Sequence, residues 1–594
     1  MHQRFLCSGL CLFLVLLTSQ AQSDIIGMGH VDGIVITSSD VNSHPAQTLE
    51  RSGFLPNHSA AAKLTAQTTF GATLTTIEEI SEMGVEDWVD TQMTLPMGTS
   101  LKDEVATYHD FRRAGENNPD AGSSMIFWDY AWWQYHMTQP DFLRQRVAFA
   151  LSEILVISRN SGFGDNPYAF GDYYDILLKH AFGNYRDLMQ DVTYHPAMGE
   201  YLTYMNNPKT DIDENRFPDE NYARELMQLF SIGLFELNPD GTRKLDQSGD
   251  PIPTYNNTHI SEFSKIFTGL MWGDREPIIN QFFRGNQERL SYTIPMQMLN
   301  EMHEPGPKFL LNGKVVPHRS PVDGVADIND ALDNLFEHSN VGPFIGKLLI
   351  QRLVTSNPSP GYVERVSKVF DDNGSGERGD MKAVVKAIIL DKEARSCDAV
   401  EDSSFGKLRE PFIRYVQLCN VFNLTTESGN FRNAMIDIND LINQKPFTSP
   451  SVFNFFQPDH QPIGVIADQE LVAPEFQIVN SQSLIGYLNG LNEWIIRGRP
   501  ANEWSLYGGE EIPENERSFF QLDDEIDIAT DDRLHELLDH LNLVLAHGRL
   551  TQRTEDIIIN AIKEFPDEDR EDLDQRVRVA IYLVMSAPEF LINR

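Results

Sequence analysis

The stretch Asp141-Phe142-Leu143-Arg144-Gln145-Arg146-Val147-Ala148-Phe149-Ala150-Leu151-Ser152-Glu153-Ile154-Leu155-Val156-Ile157 decides how the chain is read. Leu143, Val147, Ala150, Leu151 and Ile154 recur at i, i+4, i+7, i+8 and i+11, which puts them in one broad apolar stripe on a helix. The same period extends outward. Leu64, Thr68, Ile77, Ile80 and Met83 open the series, and helices are predicted over 173–179, 197–205, 220–232, 329–337, 344–353, 362–370, 381–391, 411–421, 476–488, 534–545 and 575–585. Strand signals are few. Asn238-Pro239-Asp240-Gly241 and Asp246-Gln247-Ser248-Gly249 are turn sequences that predict a small hairpin, and the irregular, Pro- and Gly-rich residues 274–318 have room for another short ribbon. There is no repeat of 20–50 residues. The expected fold is mostly α: a large multi-helix body with a small β-hairpin or ribbon element and a helical C-terminal segment.

Composition narrows the class. Of 594 residues, 87 are acidic and 48 are Lys or Arg, a formal charge of −39 that repels nucleic-acid phosphates and anionic lipid headgroups. With 41% hydrophobic residues the chain can build a large core, and no apolar run beyond the N-terminus approaches a membrane span. Residues 1–23 read as a cleaved secretory signal. His2 and Arg4 form the basic region, Phe5 to Leu17 the apolar region, and Ala21 and Ser23 permit cleavage before Asp24. The expected destination is export, to the periplasm, cell surface or medium. Residues 24–55 lack periodicity and read as a flexible leader, 56–507 as the main helical body, and 533–594 as a helical C-terminal segment packing on it. Between them, 508–532 carry ten acidic residues against one Arg and read as an acidic linker or loop. Signal cleavage leaves Cys397 and Cys419, which form one disulfide or stay two buried thiols.

Nine strings carry a family resemblance. They are Leu143 to Ser152; Tyr173-Tyr174-Asp175 with His180-Ala181-Phe182-Gly183-Asn184; His195-Pro196-Ala197-Met198-Gly199; Pro218-Asp219-Glu220-Asn221-Tyr222-Ala223-Arg224-Glu225-Leu226; Phe267-Thr268-Gly269; His303-Glu304; Lys407-Leu408-Arg409-Glu410-Pro411; Pro450-Ser451-Val452-Phe453; and Ala473-Pro474-Glu475-Phe476. In this order they resemble domain of unknown function 1800, over about residues 56–594. The family pattern has His-Asp where this chain has His303-Glu304. The resemblance implies an exported, largely helical bacterial protein of unestablished activity. It also implies a partner, because such genes often lie beside those of a second exported family similar to alkaline phosphatases and sulfatases.

The densest polar cluster is Asp219 to Glu225. Asp219 is placed to cap a helix, Glu220 and Arg224 to pair at i, i+4, and Asn221 and Glu225 to share the neighbouring face. A capped, salt-bridged helix accounts for the cluster; a cleft bearing Glu225 and Asn221 accounts for it equally. His195 precedes Pro196 at the start of another predicted helix, and His303-Glu304 sits in a Pro-flanked loop. His195, Glu225 and His303 would make a two-His, one-carboxylate set for one divalent metal ion, with Asp219 as a further ligand candidate and Glu220, Asn221, Arg224 and Glu304 as catalytic candidates.

Other motifs weigh less. His535-Glu536-Leu537-Leu538-Asp539-His540 spaces its histidines five apart, about 140° around a helix, and reads as an amphipathic helix with core leucines rather than a zinc site. Asp211-x-Asp213-x-Asn215 evokes a calcium loop but has Arg216 for the turn glycine and Tyr222 for the closing Glu, and Asp371-x-Asn373-x-Ser375-Gly376 has Lys382 for the closing Glu. No nucleophile elbow or phosphate-cradling glycine loop is present, so no nucleotide cofactor is expected. Arg409-Glu410 and Glu475 are candidates for buried ion pairs. Two functions follow as expectations: a metal-dependent, hydrolase-like enzyme acting on an extracellular polymer, or a non-catalytic surface or assembly protein that binds the phosphatase- or sulfatase-like exported partner.

Overall fold

The computed structural model describes residues 56–594 except 285–288, 397–401, 403, 437, 502 and 504–511. The expected signal and leader, Cys397 and the first residues of the acidic stretch lie outside the described residues. Cys419 is a free, buried thiol.

The chain is mostly α. Its first group of helices is α1 (Pro56–Thr68), α2 (Leu74–Met83), α3 (Leu101–Gly115), α4 (Ile126–Thr138), α5 (Phe142–Ser152) and α6 (Pro167–His180). There follow α7 (Tyr185–Tyr194), α8 (Pro196–Tyr201), α9 (Asn221–Gln228), α10 (Asn257–Ile266), α11 (Gly324–Phe336), α12 (Val341–Leu353), α13 (Pro360–Asp371) and α14 (Met381–Ile389). The last group is α15 (Pro411–Val421), α16 (Ser481–Leu491), α17 (Leu534–Ala546), α18 (Gln552–Ile562) and α19 (Arg570–Ser586). Helices α6, α8, α13 and α15 each open on a proline, whose missing amide has no partner to lose in a first turn.

The quoted stretch forms α5, but it is not a one-sided helix. Every residue from Leu143 to Ser152 is buried, Arg144, Gln145 and Arg146 included. Helix α4 is buried nearly all round as well. Phe127, Trp128, Tyr130, Trp132, Trp133 and Tyr135 face neighbours on several sides, so the 3.6-residue period is blurred. Helix α3 packs on both α4 and α6, and α5 on α6 and α12. Gly171 of α6 permits the close approach to α3: a Cβ there would lie 2.9 Å from the Lys102 backbone.

Strands are minimal. β1 (Leu270–Met271) pairs antiparallel with β2 (Gln297–Met298), β3 (Lys308–Phe309) with β4 (Val315–Val316), and β5 (Lys407–Leu408) with β6 (Ile592–Asn593). The predicted hairpin is a ribbon of isolated bridges, Leu237 to Arg243, Leu245 to Pro251 and Phe235 to Pro253, turning at Gly241 and Gly249.

The two ends of the described chain meet. Helix α17 packs on α1, α2 and α15, and one buried cluster runs from Ala61 to Phe590. Within the acidic stretch, Ile512, Phe520, Leu522 and Ile526 are buried, and Phe519 bridges to Thr425. Those residues pack against the body while their acids face mostly outward. None of the described helices is long and apolar enough to cross a membrane.

Candidate functional site

The structure places the two candidate histidines in separate networks. His195 caps α8, its Nδ1 accepting from the Ala197 amide at 3.1 Å, while Nε2 lies 3.4 Å from Asp172 of α6. His303 follows β2. Gly269, at φ +89°, lets the chain pass beside it, since a Cβ would stand 2.8 Å from the Leu299 carbonyl and 3.0 Å from the His303 amide. The ring is fully enclosed: Nδ1–H donates to the Thr268 carbonyl at 2.9 Å, and Nε2 meets Asp327 and Lys308, each at 3.1 Å. Asp327 also takes Lys308 and, at 2.6 Å, Arg319. Burial pushes the Asp327 carboxyl up, but His303, Lys308 and Arg319 outweigh it and hold it far below the usual carboxylate range.

The remaining candidates divide between caps, a clamp and one unsatisfied acid. Asp219 accepts from the Asn221 amide at 2.8 Å and from the Thr203 hydroxyl at 3.0 Å, so it braces the start of α9 from one residue before the cap position. Glu220 and Arg224 form the expected i, i+4 pair at 3.4 Å, on the surface. Asn221 opens the helix. The Glu304 carboxylate accepts from the Thr210 amide at 2.7 Å and so ties the loop before α9 to the loop after β2. Glu225 differs from these. It is buried and its Oε2 has no hydrogen-bond partner. Burial raises its proton affinity against the opposing effect of Arg224. Burial, with the Glu225 charge nearby, also pushes the Tyr201 and Tyr255 phenols up to about 12. Among the described residues no three His, Cys, Asp or Glu side chains are grouped to hold a metal ion. His195, Glu225 and His303 therefore do not form the two-His, one-carboxylate set in this conformation.

The motif strings converge elsewhere, on a buried polar centre. Lys407 Nζ donates to the Arg352 carbonyl at 2.8 Å and lies 3.3 Å from Glu410 and 3.2 Å from Glu475. Arg146 of α5 donates to the same Arg352 carbonyl at 2.8 Å, and the Arg352 guanidinium lies 3.5 Å from Glu153. Gln444 joins the acids, reaching Glu410 at 2.7 Å and Glu153 at 3.3 Å. Burial opposes ionisation of both glutamates. At Glu410 the charges of Lys407, Arg146 and Arg352 prevail and lower it to about 2; at Glu153 burial and the Glu410 charge prevail and raise it to about 8. The two carboxyls titrate as one coupled pair, with protonation favoured at Glu153 and ionisation at Glu410. Arg409 turns the other way, to Gln417, the Leu545 carbonyl and His547.

A cleft of about 450 Å³ lies between the start of α3 and the face of α6, walled by Ser100, Lys102, Arg144, Asp172, Asp175 and Lys179. Asp172 joins Lys102, at 2.7 Å, to His195. Burial opposes its ionisation, yet these two partners hold its carboxyl below the usual range. Asp175 accepts from the Ser100 hydroxyl at 2.6 Å and from the Leu101 and Lys102 amides at 2.8 and 3.2 Å, capping α3 from another helix. Burial still pushes it up to about 6. Sequence reasoning missed Asp172 and Lys102. The available signal was Asp172, Asp175, Ile176 and Lys179 at i, i+3, i+4 and i+7 on one helix, a face too polar for plain core packing.

The remaining sequence motifs have structural roles. His540 pairs with Glu525 at 2.9 Å while His535 is exposed. Asp211 is engaged by Arg216 at 3.3 Å, and residues 372–380 form the turn between α13 and α14.

A family described as "Protein of unknown function (DUF1800)" matches residues 63–592. No curated protein and no solved structure matches the chain.

Proposed function

Since the chain belongs to the DUF1800 family, we propose that it is an exported, non-catalytic binding protein that docks a second exported protein, the phosphatase- or sulfatase-like partner implied by the family resemblance. One observation carries this reading. Most polar residues of the motif strings contact the chain's own frame: Lys407, Glu410, Glu475 and one terminal nitrogen of Arg146 in the buried centre, His303 and Glu304 in the loops around β2, and Asp219 at α9, while Arg146 Nε and Nη1 and one oxygen each of Glu475 and Glu225 have no hydrogen-bond partner. Such groups fix which helices sit together. The test is co-expression of the full chain with an exported phosphatase- or sulfatase-like protein of the kind the resemblance implies, read by light scattering after size exclusion. A complex of defined stoichiometry is expected; two independently eluting proteins at micromolar concentration would overturn the reading.

A hydrolase-like reading, metal-dependent and directed at an extracellular polymer, keeps one support: Glu225, buried, with an unpaired oxygen and a raised proton affinity. Elemental analysis separates the two. A divalent metal held one per chain and lost in Glu225→Gln would favour the enzyme, whereas metal content unchanged by that substitution would not.

A further inference from the structure

We propose that the ribbon of residues 211–216, with Phe217 beside it, is the docking knob for an exported protein that presents an apolar pocket rimmed by Lys or Arg. The ribbon lies in the connection between α8 and α9. Asp211 and Arg216 exchange both backbone hydrogen bonds at 2.9 Å. The turn between them is closed by the Asn215 amide, which donates to the Ile212 carbonyl at 3.2 Å, and by the Glu214 amide, which donates to the Asp211 carboxylate at 3.2 Å. Every residue from Ile212 to Phe217 is exposed, Ile212 at 82% and Phe217 at 64%. Single apolar side chains scattered over a surface are ordinary; two large ones on one closed, otherwise polar turn mark a contact surface.

The stem of the ribbon is fastened on both sides. On one, the Lys209 amide donates to the Met302 carbonyl at 2.8 Å and the Thr210 amide to the Glu304 carboxylate at 2.7 Å. On the other, the Asp219 amide donates to the Asn207 side chain at 3.0 Å, and the Asp219 carboxylate accepts from the Thr203 hydroxyl. Glu304 and Asp219 belong to two different motif strings, and both brace a loop whose tip is exposed. A fastened turn has little conformational freedom left to lose on binding, so a small apolar contact can anchor a partner. The loop that carries Glu304 also leads into β3 and β4, where the register partners Phe309 and Val315 form a second exposed apolar pair.

Charge selects the partner. Between Lys209 and Arg224 the chain has five acids against three bases. Arg216 is taken up by Asp211 at 3.3 Å and Arg224 by Glu220 at 3.4 Å. Asp213, Glu214 and Asp219 then stand against Lys209, and Glu304 adds a carboxylate at the base, so the ribbon stays acidic after every pair is counted. A basic rim would compensate these carboxylates and steer the encounter. A second copy of this chain, at a formal charge of −39, is repelled on the same ground. Because the ribbon would serve the docking of an exported partner, its assignment rests on that reading.

The test compares the full wild-type chain with Ile212→Ser, with Phe217→Ser and with a double variant, Asp213→Asn and Glu214→Gln. Each is mixed with the same exported phosphatase- or sulfatase-like protein and followed by size exclusion and calorimetric titration. Ile212→Ser and Phe217→Ser are expected to weaken the complex about tenfold or more, with the melting temperature of the chain unchanged, because both side chains lie outside the core. The double variant should bind more weakly at low salt and lose part of the salt dependence. Ile463→Ser, at another fully exposed apolar position, should change nothing. Should Phe217→Ser lower the melting temperature, Ile212→Ser decides alone. A wild-type complex that survives Ile212→Ser, or is weakened equally by Ile463→Ser, would overturn the knob and leave the docking reading standing. No complex with the wild-type chain would overturn both.

Discussion

Glu153 and Glu410 show how a single proton is placed by its surroundings. Glu410 is lowered to about 2, below an unfolded value of roughly 4.3, so its contribution to stability is present above that value and is lost as pH falls toward 2. Glu153 is raised to about 8, so the folded chain binds a proton that the unfolded chain releases. Stability should therefore decline as pH rises from about 4.3 through 8, with a limiting slope of about 1.4 kcal/mol per pH unit. Glu153→Gln keeps a neutral donor beside Glu410 and should flatten that alkaline decline, leaving stability at pH 5 little changed. Urea midpoints between pH 5 and 9 check this; an undiminished slope in the variant would place the proton elsewhere. At His303 the expectation concerns burial rather than pH. Asp327→Ala strands Lys308 and His303 inside the fold and should cost on the order of 3–5 kcal/mol, whereas Arg319→Ala, at a half-exposed partner, should cost below about 1 kcal/mol. Comparable losses in both variants would mean that enclosure of the cluster does not govern its strength.

At the scale of elements, the sequence reveals what repeats and conceals what is enclosed. Helix α15 begins and ends where periodicity and Pro411 place it, and α13 and α14 agree to within two residues at each end. Helix α4 has no such signature, because Trp128, Trp132, Trp133 and Tyr135 are buried on different faces and leave no polar side to mark the period. The same enclosure holds at α5, where the apolar stripe was legible but the burial of Arg144, Gln145 and Arg146 beside it was not. The site followed this pattern: the Glu220–Arg224 pair and the His195 cap are local and legible, while Asp172 and His195, or His303 and Asp327, are joined only by the fold. Caps give an element-scale test. Ser359 accepts from the Tyr362 amide at 3.1 Å at the start of α13, and its hydroxyl donates to Glu393. Ser359→Ala removes both bonds and should cost about 1–2 kcal/mol in chemical denaturation, while Ser359→Asp should restore the cap but repel Glu393 and so recover only part of the loss. Full recovery by Asp would mean that the tie to Glu393 carries no weight.

The whole molecule is held by contacts that ignore sequence distance. Lys407 sits on β5, which pairs with β6 at the far end of the described chain, and the same lysine enters the buried centre with Glu410 and Glu475. Arg146, about 260 residues earlier, donates to the Arg352 carbonyl that Lys407 also uses. Helix α17 lays Leu537, Leu541 and Leu545 into the cluster that includes Ala61 and Leu64 of α1. An acidic stretch before α17 could suggest a detachable C-terminal unit, but these contacts argue against one. A chain cut at residue 532 would expose the apolar faces of α1, α2 and α15 and leave β5 without its partner. At roughly 25 cal/mol per Å², newly exposing about 600 Å² of apolar surface would offset even the upper end of the 5–15 kcal/mol by which whole domains are stable. The truncated chain is therefore expected to aggregate or remain unfolded, and the intact chain to lose near-UV and far-UV circular dichroism in one coincident thermal transition. A soluble, helical fragment 1–532 that melts cooperatively would show instead that the C-terminal helices are an addition to a body already complete.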